Sequence, residues 1–391
     1  MRSFSAHYIL TYSGPLLKRS VVRTDDDGTI INIEDTKGSL KEDPMVEFYN
    51  GIIIPGFVNC HCHLELSHLK GKIPAGTGLA DFITKIRTLR ETDEKTIISS
   101  AGSADKDMYR EGISLCADIC NTSATFGIKR SSKIKYLNLL EVFGIDPLKA
   151  DHRMQEIIRL SVDAGNSGLE WSIVPHAVYS ISLPLFRLIK KITRKNRVTS
   201  IHFLETDSEI SFLEGLSSRI SDSYLTTGHM PRVMKTVKDH VTAILKEITP
   251  SGNLILVHNT YADSTTVRAV RRRKNLFWCL CPGSNIYIEN KLPPINLLRY
   301  ENCNIVIGSD SLASNTTLSI LSELKTLQAN FPQLGLEELV RWATVNGARA
   351  LGEDQHFGKI EPGMKPGLLL LQDIDLINLK LLPTSTVTRL L

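Results

Sequence analysis

The stretch PGFVNCHCHLELSHLKG, residues 55–71, places three histidines, two cysteines and one glutamate in a short span behind an apolar run. In an extended strand alternate side chains point to the same side, so His61 and His63 can converge on one metal ion. Cys60 and Cys62 are then expected on the opposite side of the strand. A zinc finger would need a further Cys or His pair at short spacing close behind this stretch, and none follows directly. The stretch therefore predicts a strand that ends in two metal ligands.

The sequence around this stretch indicates a barrel, because apolar or β-branched runs alternate with amphipathic helical stretches. The eight predicted strands occupy residues 51–59, 113–119, 136–142, 171–176, 198–205, 253–259, 275–281 and 303–310. Predicted helices include residues 79–91, 151–165, 183–195, 231–248 and 336–352. Eight strand–helix units in sequence favour an α/β fold built on a closed, parallel (β/α)8 TIM-type barrel.

The two ends of the chain are β-rich instead. The DDDG step, Asp25 to Gly28, lies between two β-rich runs and predicts a hairpin. After the last predicted helix, the segments GKIEPGMKPG and LLLLQDIDLI again indicate a turn and a strand. The sequence therefore predicts a central β/α region flanked by strands at both termini.

Composition and charge exclude several classes of protein. The chain has 391 residues, is 42% hydrophobic and carries a formal net charge of +4, as is ordinary for a globular protein. The basic run Arg271 to Lys274 is interpreted as a solvated helix end, so no nucleic-acid partner is expected. No apolar run approaches the ~18 residues of a membrane span, and no secretory signal begins the chain. Seven cysteines in such a chain predict free thiols in the cytoplasm.

Polar residues recur where the predicted barrel strands end. These residues are His61, His63, His176, His202, Glu205, His258, the segment Cys281 to Asn285, and Asp310. In a parallel barrel the carboxyl ends of the strands meet at one mouth, where functional residues cluster. A single histidine beside an apolar run is more often a core residue, but five at the same end of the strands, with an aspartate, predict a functional centre.

Seven segments in the right order carry a resemblance to a known superfamily. They are PGFVNCHCHLELS, VPHAVYSIS, IHFLETDSEISFLEG, LVHNTY, CPGSN, GSDSLASN and ATVNGARALG. Together they resemble the metal-dependent deaminase and chlorohydrolase branch of the amidohydrolase superfamily, over nearly the whole chain. The resemblance implies that residues 1–50 and 355–391 form a composite β-sandwich beside a hydrolase barrel of residues 51–354. It also makes a homodimer possible.

The resemblance further implies a single divalent metal ion, Zn2+ or Fe2+, bound by His61, His63, His202 and Asp310. Such an ion would lower the pKa of a bound water toward ~7 and so provide a nucleophile. A second metal usually needs a carboxylated lysine at the end of the fourth strand. The segment WSIVPHAVYS has His176 there and no lysine, which favours one metal.

The same resemblance implies three catalytic residues. His258 and Asp310 would orient the attacking water and take its proton. Glu205, three residues beyond His202, would protonate a ring nitrogen of the substrate and then pass a proton to the leaving ammonia. His176 would face the substrate.

Within this branch, HLELSHLKG and GSDSLASN most resemble aminodeoxyfutalosine deaminases of the alternative menaquinone route. These enzymes remove the 6-amino group of an adenine-type base. Glu65 would then face the cavity and accept hydrogen bonds from ribose hydroxyls or base nitrogens. The alternative role for Glu65 is structural, as a carboxylate that the dipole stabilises at a helix N-terminus.

Other residues leave two interpretations open. Ser314 either contacts the ligand or, with Ser311 and Asn315, caps the following helix. Arg87 and Arg90 either reach a substrate carboxylate or face solvent. Gly283 in CPGSN replaces the commoner arginine or threonine, which would remove a side chain that could touch the substrate.

The sequence thus predicts a hydrolytic deaminase of a small, adenine-type nucleoside that releases ammonia. Three alternatives remain at this point. One is deamination of S-adenosylhomocysteine or methylthioadenosine, and another is hydrolysis of a different C–N or C–Cl bond on the same site. The third is a non-catalytic paralogue that acts as a binding protein, although such proteins typically lose metal ligands and none is missing here.

Overall fold

The computed structural model describes residues 1–225, 251–270 and 273–391, and its N-terminal strands form a sheet outside the barrel. These strands are β1 (Arg2–Ile9), β2 (Leu17–Lys18), β3 (Val21–Thr24), β4 (Ile30–Glu34) and β5 (Val46–Pro55). Strands β3 and β4 pair antiparallel around the Asp25 to Gly28 turn, where Asp25 Oδ1 accepts the N–H of Thr29 at 2.9 Å. The hairpin predicted at DDDG is therefore confirmed.

Eight parallel strands follow in the described residues and form the barrel. They are β6 (Phe57–Cys62), β7 (Ile113–Cys120), β8 (Lys135–Val142), β9 (Glu170–Pro175), β10 (Val198–Phe203), β11 (Asn253–His258), β12 (Leu276–Leu280) and β13 (Asn304–Ile307). The ladders β6–β9 and β10–β13 form two arcs. Single parallel bridges, Ala177 with His202 and Cys62 with Asp310, join the arcs at two seams. The predicted (β/α)8 barrel is confirmed.

Two C-terminal strands, β14 (Leu368–Asp375) and β15 (Lys380–Arg389), complete the N-terminal sheet. The strand order is β15-β14-β5-β1-β3-β4, with β2 paired to β1. Strands from both termini thus form one sheet, as the resemblance implied. The division at residue 50 stays a prediction, and strand β5 runs across it.

The first barrel strand differs from its prediction over residues 51–59. Residues up to Pro55 belong to β5 in the terminal sheet, and the barrel strand begins only at Phe57. Gly56 joins the two, and its N–H donates to Gly367 O at 3.2 Å. A Cβ at position 56 would overlap Pro366 O and the Ser114 hydroxyl. One continuous apolar run therefore serves two sheets, because a glycine in its middle permits their close approach.

The helices connect the barrel strands and lie around them. They are α1 (Leu79–Leu89), α2 (Glu94–Arg110), α3 (Phe126–Ser131), α4 (Ala150–Asn166), α5 (Leu183–Thr193), α6 (Asp207–Leu213), α7 (Arg219–Leu225), α8 (Ser264–Val270), α9 (Pro282–Glu289), α10 (Ile295–Tyr300), α11 (Ile320–Asn330), α12 (Leu336–Ala343) and α13 (Val345–Ala350). Short 3-10 helices span Leu64–Leu69, Pro147–Lys149 and Val178–Ser180. Of the helices in the described ranges, none is long and apolar enough to cross a membrane.

The helices predicted at 79–91, 151–165 and 183–195 are confirmed as α1, α4 and α5. The helix predicted at 231–248 lies outside the described residues, as do Arg271 and Arg272 of the basic run. The single helix predicted at 336–352 is wrong, because Thr344 interrupts it with φ −132° and ψ −85°. The chain continues there as α12 and α13.

The barrel interior is an apolar cluster to which every barrel strand contributes. Its members include Val58, Leu115, Leu137, Val174, Val198, Ile255, Phe277 and Val306. Ala348 and Ala350 of α13 belong to the same cluster, and Asn253 at the start of β11 donates to Ala350 O at 3.0 Å. Helix α13 therefore closes the end of the barrel where the strands begin. The polar groups are left at the opposite mouth.

One expectation about the first barrel strand is wrong. Cys60 does not lie outside the barrel but belongs to the interior cluster, together with Cys279. The pairing of β6 with β7 shifts register between Asn59 and Cys62, and this irregularity interrupts the simple alternation of side chains. Cys62 does pack outward, where its thiol hydrogen-bonds with that of Cys116.

We expect Gly56→Ala to lower the free energy of unfolding by about 1–3 kcal/mol, because the added methyl overlaps backbone and side-chain atoms at the sheet–barrel junction. Gly127→Ala is the control, since a Cβ at this exposed position of α3 meets no atom within 4 Å. That substitution should leave stability unchanged or raise it by up to ~1 kcal/mol. Chemical denaturation of the three proteins measures both effects, and equal stabilities would contradict the junction's role.

Candidate metal centre and active site

Three histidines and an aspartate converge at the mouth where the barrel strands end. The Nε2 atoms of His61 and His63 lie 3.2 Å apart, and Asp310 Oδ1 lies 3.7 and 3.6 Å from them. His202, from the opposite arc, brings a ligand nitrogen within 4.8 Å of both histidines. All four side chains are buried. The first, fifth and last barrel strands thus supply one cluster.

The donor set fits a divalent cation. Two nitrogens bound at about 2.0–2.1 Å to a tetrahedral zinc ion lie about 3.3–3.4 Å apart, close to the observed separation. Burial lowers the pKa of His63 well below its usual value and that of His202 to about 3, so both rings are neutral and offer lone pairs. Burial opposes ionisation of Asp310, but His61 and the other neighbouring histidines hold its pKa low. The predicted metal centre is therefore confirmed, while the role of each ligand stays a prediction.

Hydrogen bonds behind the cluster orient its members. The Nδ1 of His202 donates to His176 O at 2.9 Å, which leaves Nε2 free for a metal. Asp310 Oδ2 accepts from Ser284 Oγ at 2.5 Å and from Ser314 Oγ at 2.6 Å, which leaves Oδ1 toward the histidines. His202 and Asp310 thus each have one polar atom held by protein and another directed at the cluster, whereas Nδ1 of His61 has no hydrogen-bond partner among the described residues.

The backbone takes an unusual conformation next to the strand ends. Leu204, His258, Asn259 and Asp310 all have φ between 47° and 75°, a region that non-glycine residues rarely occupy. Each such residue costs of order 1 kcal/mol or more, and such strain persists only where surrounding structure determines it. For Asp310 that structure includes the bond from its N–H to His61 O at 3.0 Å. The strain coincides with the positions that carry the candidate metal and catalytic groups.

Glu205 and His258 form a second pair beside the cluster. Glu205 Oε1 lies 3.6 Å from His258 Nε2, and Asn285 Nδ2 lies 3.2 Å from the other ring nitrogen of His258. Burial raises the pKa of Glu205 well above its usual value, and the charges of Asp310 and Glu209 add to this effect. A raised pKa favours the protonated form of the carboxyl group, which can donate its proton to a bound molecule.

A cavity of about 160 Å³ opens beside these groups. Its apolar wall consists of Leu66, Leu79, Phe82, Ile83, Ile86 and Phe143. Polar groups that line it include Arg87, Arg90, Asn121, Glu141, Tyr179 and Ser180. An apolar slot with a few directed polar groups is typical of a site for a small organic molecule.

Six predicted site residues line this cavity: His63, His176, His202, Glu205, His258 and Asp310. His176 lies with Nδ1 2.8 Å from Ser180 Oγ, and burial lowers its pKa to about 4. His61 lies directly behind His63, with its side chain fully buried. The structure therefore brings together every residue predicted for the metal and the chemistry.

The structure does not bring Glu65 and Ser314 to the cavity. Glu65 Oε1 pairs with Arg90 Nη2 at 3.3 Å, while Oε2 accepts the backbone N–H groups of Asn121 and Thr122 at 3.1 and 3.2 Å. Ser314 is fully buried and donates to Asp310. A role for either residue in substrate binding would therefore act through Arg90, Asn121 or Asp310.

Gly283 has a packing role that the sequence did not reveal. Its N–H donates to Glu323 Oε2 at 2.7 Å, and Asn315 Nδ2 donates to Glu323 Oε1 at 2.7 Å. A Cβ at position 283 would lie 2.7 Å from both Asn315 and Glu323. The glycine is thus required by this contact. Asn315 bonds to Glu323 and to Ser309 O rather than capping a helix.

Sequence reasoning missed Glu141, Asn121 and the buried pair of Asp118 and Lys129. Asp118 Oδ1 accepts the N–H of Leu64 at 2.7 Å, and its other oxygen pairs with Lys129, so this pair fixes the chain directly after His63. Glu141 ends the predicted strand 136–142. The criterion that selected His61 and Asp310, a polar residue at a strand end, would have selected it too.

We expect His61→Ala and His63→Ala to lower bound zinc or iron strongly, because each removes a nitrogen ligand. Cys62→Ala is the matched control, since Cys62 lies between them in sequence but packs outward. Its metal content should equal that of the unchanged protein. Elemental analysis of the purified proteins measures these contents. Full metal occupancy in both histidine variants would contradict the ligand assignment.

Comparisons with known proteins agree with this geometry. The pattern of the amidohydrolase family matches residues 52–388. A 5'-deoxyadenosine deaminase from Methanosphaera stadtmanae is 26% identical over 374 residues, which cover 90% of this chain and 80% of that protein.

Two crystal structures share the fold. Helicobacter pylori aminofutalosine deaminase in complex with methylthio-coformycin matches with a TM-score of 0.81 at 20% identity, over 98% of this chain and 94% of that one. An adenosine deaminase from Xanthomonas campestris with bound zinc matches with a TM-score of 0.74 at 19% identity, over 97% and 86%. Because the family pattern spans most of its length, this chain belongs to the amidohydrolase family.

Proposed function

We propose that this protein is a metal-dependent hydrolase that removes the 6-amino group of an adenine-type nucleoside and releases ammonia. The observation that carries the proposal is the position of Glu205. Its buried carboxyl group faces the cavity beside both the histidine cluster and His258, 3.6 Å away. Replacement of an amino group by water needs a proton donor next to the site of attack, and Glu205 is placed to be that donor.

In this proposal His61, His63, His202 and Asp310 hold one divalent ion, Zn2+ or Fe2+. Such an ion lowers the pKa of a water molecule in the site toward ~7 and so supplies a nucleophile at neutral pH. The neutral imidazoles and the ionised aspartate are the donor types that both ions accept.

The protein's own groups move the protons. His258 and Asp310 orient the attacking water and accept its proton. Glu205 donates a proton to the ring nitrogen next to the reacting carbon, which lets that carbon accept the nucleophile. Glu205, now ionised, takes the proton of the newly formed hydroxyl group and passes it to the departing amino group. The C–N bond then breaks, a C=O bond forms and ammonia leaves. The proton that His258 and Asp310 accepted returns to Glu205 and restores the enzyme. His176 faces the substrate, and Ser180 fixes its ring.

An aminodeoxyfutalosine-like nucleoside is the substrate that we favour, which would place the reaction in menaquinone biosynthesis. The structural match to an aminofutalosine deaminase and the HLELSHLKG segment support this choice. Arg87 and Arg90 at the cavity also favour a nucleoside with an anionic substituent. The same arginines suit S-adenosylhomocysteine, which carries a carboxylate, better than methylthioadenosine, which does not.

We also propose that the enzyme acts in the cytoplasm, since all seven of its cysteines are free thiols. The expected homodimer stays a prediction. Hydrolysis of another C–N or C–Cl bond would use the same groups and is the alternative that the substrate assay separates.

A side-by-side assay tests the substrate. Metal-replete protein should release ammonia from aminodeoxyfutalosine faster than from methylthioadenosine or adenosine, because its arginines complement an anionic substituent. S-adenosylhomocysteine also carries a carboxylate, so its rate relative to aminodeoxyfutalosine decides between the two anionic substrates. Ammonia release and the absorbance change of the base measure the rates. Turnover of triazine, guanidine or amide substrates without any turnover of adenine nucleosides would sink the proposal.

Glu205→Gln should lower kcat at least 100-fold, since general acid–base catalysis contributes roughly 10²–10⁴-fold. Its metal content should not change, because Glu205 is not a proposed ligand. Glu214→Gln, an exposed position at the end of α6, is the control and should keep full activity. Normal turnover by Glu205→Gln would remove Glu205 from the mechanism.

A further inference from the structure

One carboxylate in the cavity has an oxygen without a partner. Glu141 is the next-to-last residue of β8, its side chain is only 3% exposed, and its Oε1 accepts no hydrogen bond from the described residues. Its other oxygen accepts from Asn121 Nδ2 at 3.1 Å. A buried polar atom without a hydrogen bond costs of order 1–3 kcal/mol, so a ligand that supplied a donor would be stabilised there.

The neighbours of Glu141 are held in place by Glu65. Glu65 accepts the backbone N–H of Asn121 with one oxygen and pairs with Arg90 with the other. Asn121 and Arg90 both line the cavity beside Glu141. The free oxygen of Glu141 is therefore part of a fixed polar wall, and little order has to be gained when a ligand binds.

An alternative role for Glu141 is to orient the metal ligand His202, as carboxylates often do. The distances do not favour it. The Nδ1 proton of His202 is already donated to His176 O at 2.9 Å, whereas Glu141 Oε1 lies 3.5 Å from that nitrogen. Oε1 thus has no hydrogen bond to the described residues, and Glu141 lines the cavity.

The position of Glu141 limits which part of a substrate it can meet. It lies on the Nδ1 side of His202, and Nε2, across the ring, is the nitrogen left for the cluster. A whole imidazole therefore separates Glu141 from the reacting centre. In a nucleoside whose base reacts at the cluster, the group at such a distance is the sugar, and its hydroxyls are hydrogen-bond donors.

We infer that Glu141 is a specificity-determining residue that accepts a hydrogen bond from a sugar hydroxyl of the nucleoside. This inference rests on the proposed function. It moves the recognition of the sugar from Glu65, which lies behind the wall, to Glu141, which faces the cavity.

The test compares kcat and KM for an adenine ribonucleoside and its 2'-deoxy and 3'-deoxy analogues. The unchanged enzyme should prefer the ribonucleoside over at least one analogue by about 10- to 100-fold in kcat/KM, as expected for a hydrogen bond to a charged group. In Glu141→Gln the amide oxygen would take the bond from Asn121, so that a donor, not an acceptor, faces the sugar. Glu141→Ala removes both groups. Both variants should reduce the preference to within about threefold, mainly through KM.

Metal content and a matched surface variant separate this role from a structural one. Both Glu141 variants should bind as much metal as the unchanged protein. Glu156→Gln, an exposed position on α4, should keep the full preference for the ribonucleoside. If the Glu141 variants lose metal, or lose activity equally on all three nucleosides, Glu141 supports His202 or the fold and the inference is overturned.

The inference and the proposed function fail in different ways. An enzyme that deaminates nucleosides without distinguishing hydroxylated from deoxy forms would overturn only the role of Glu141. If no nucleoside is deaminated, calorimetric titration with inosine and 2',3'-dideoxyinosine still tests whether Glu141 binds the sugar hydroxyls. Tighter binding of inosine that disappears in Glu141→Gln supports the subsite, and equal or no binding of the two overturns it.

Discussion

The closure of the barrel is the constraint on which the whole site depends. His61 and His63 end the first barrel strand, and Asp310 follows the last, so these ligands meet only when β6 and β13 come together. The bridge between Cys62 and Asp310 makes that seam, and a bridge at His202 makes the opposite one. Both seams thus lie at candidate metal ligands. A cation that binds both arcs would stabilise the closed barrel, since it binds the folded state and not the separated strands.

Burial at this mouth raises the pKa of carboxyl groups and lowers the pKa of histidines, and both effects serve the proposed chemistry. Loss of water lowers the pKa values of His63 and His202, which favours the neutral rings that metal ligands require. It raises the pKa of Glu205, which favours the protonated form that a general acid requires. Asp310 escapes the same effect because histidines and two serine hydroxyls surround its carboxylate. The same buried environment therefore contains neutral histidines, the acid Glu205 and the anion Asp310. The immediate partners of each group determine which charge state is favoured.

The sequence predicts the barrel well because the barrel follows from local periodicity, and polar residues at strand ends predict a functional centre there. The set of metal ligands comes instead from the resemblance to the superfamily. Alternation along a strand and polar residues at strand ends can be recognised without knowing the tertiary contacts. The predictions are wrong where contacts with residues distant in sequence determine the conformation. Cys60 faces inward because the pairing of β6 with β7 shifts register, and Thr344 divides a helical pattern where α13 turns to close the barrel. Gly283 is a glycine because Glu323, 40 residues later, occupies the space of its side chain.

Glu65 and Glu141 illustrate the same limit for function. Glu65 stands two residues after a metal ligand, so extended geometry would direct it into the cavity. The chain instead turns into a 3-10 helix at Leu64–Leu69, and Glu65 meets Arg90 and the loop after β7. Glu141 carries no motif, yet it lines the cavity and one of its oxygens accepts no hydrogen bond from the described residues. Glu65, which lies within a motif, therefore supports the wall of the site through Arg90 and Asn121. Glu141, which lies far from that motif in sequence, lines the space that the substrate would occupy.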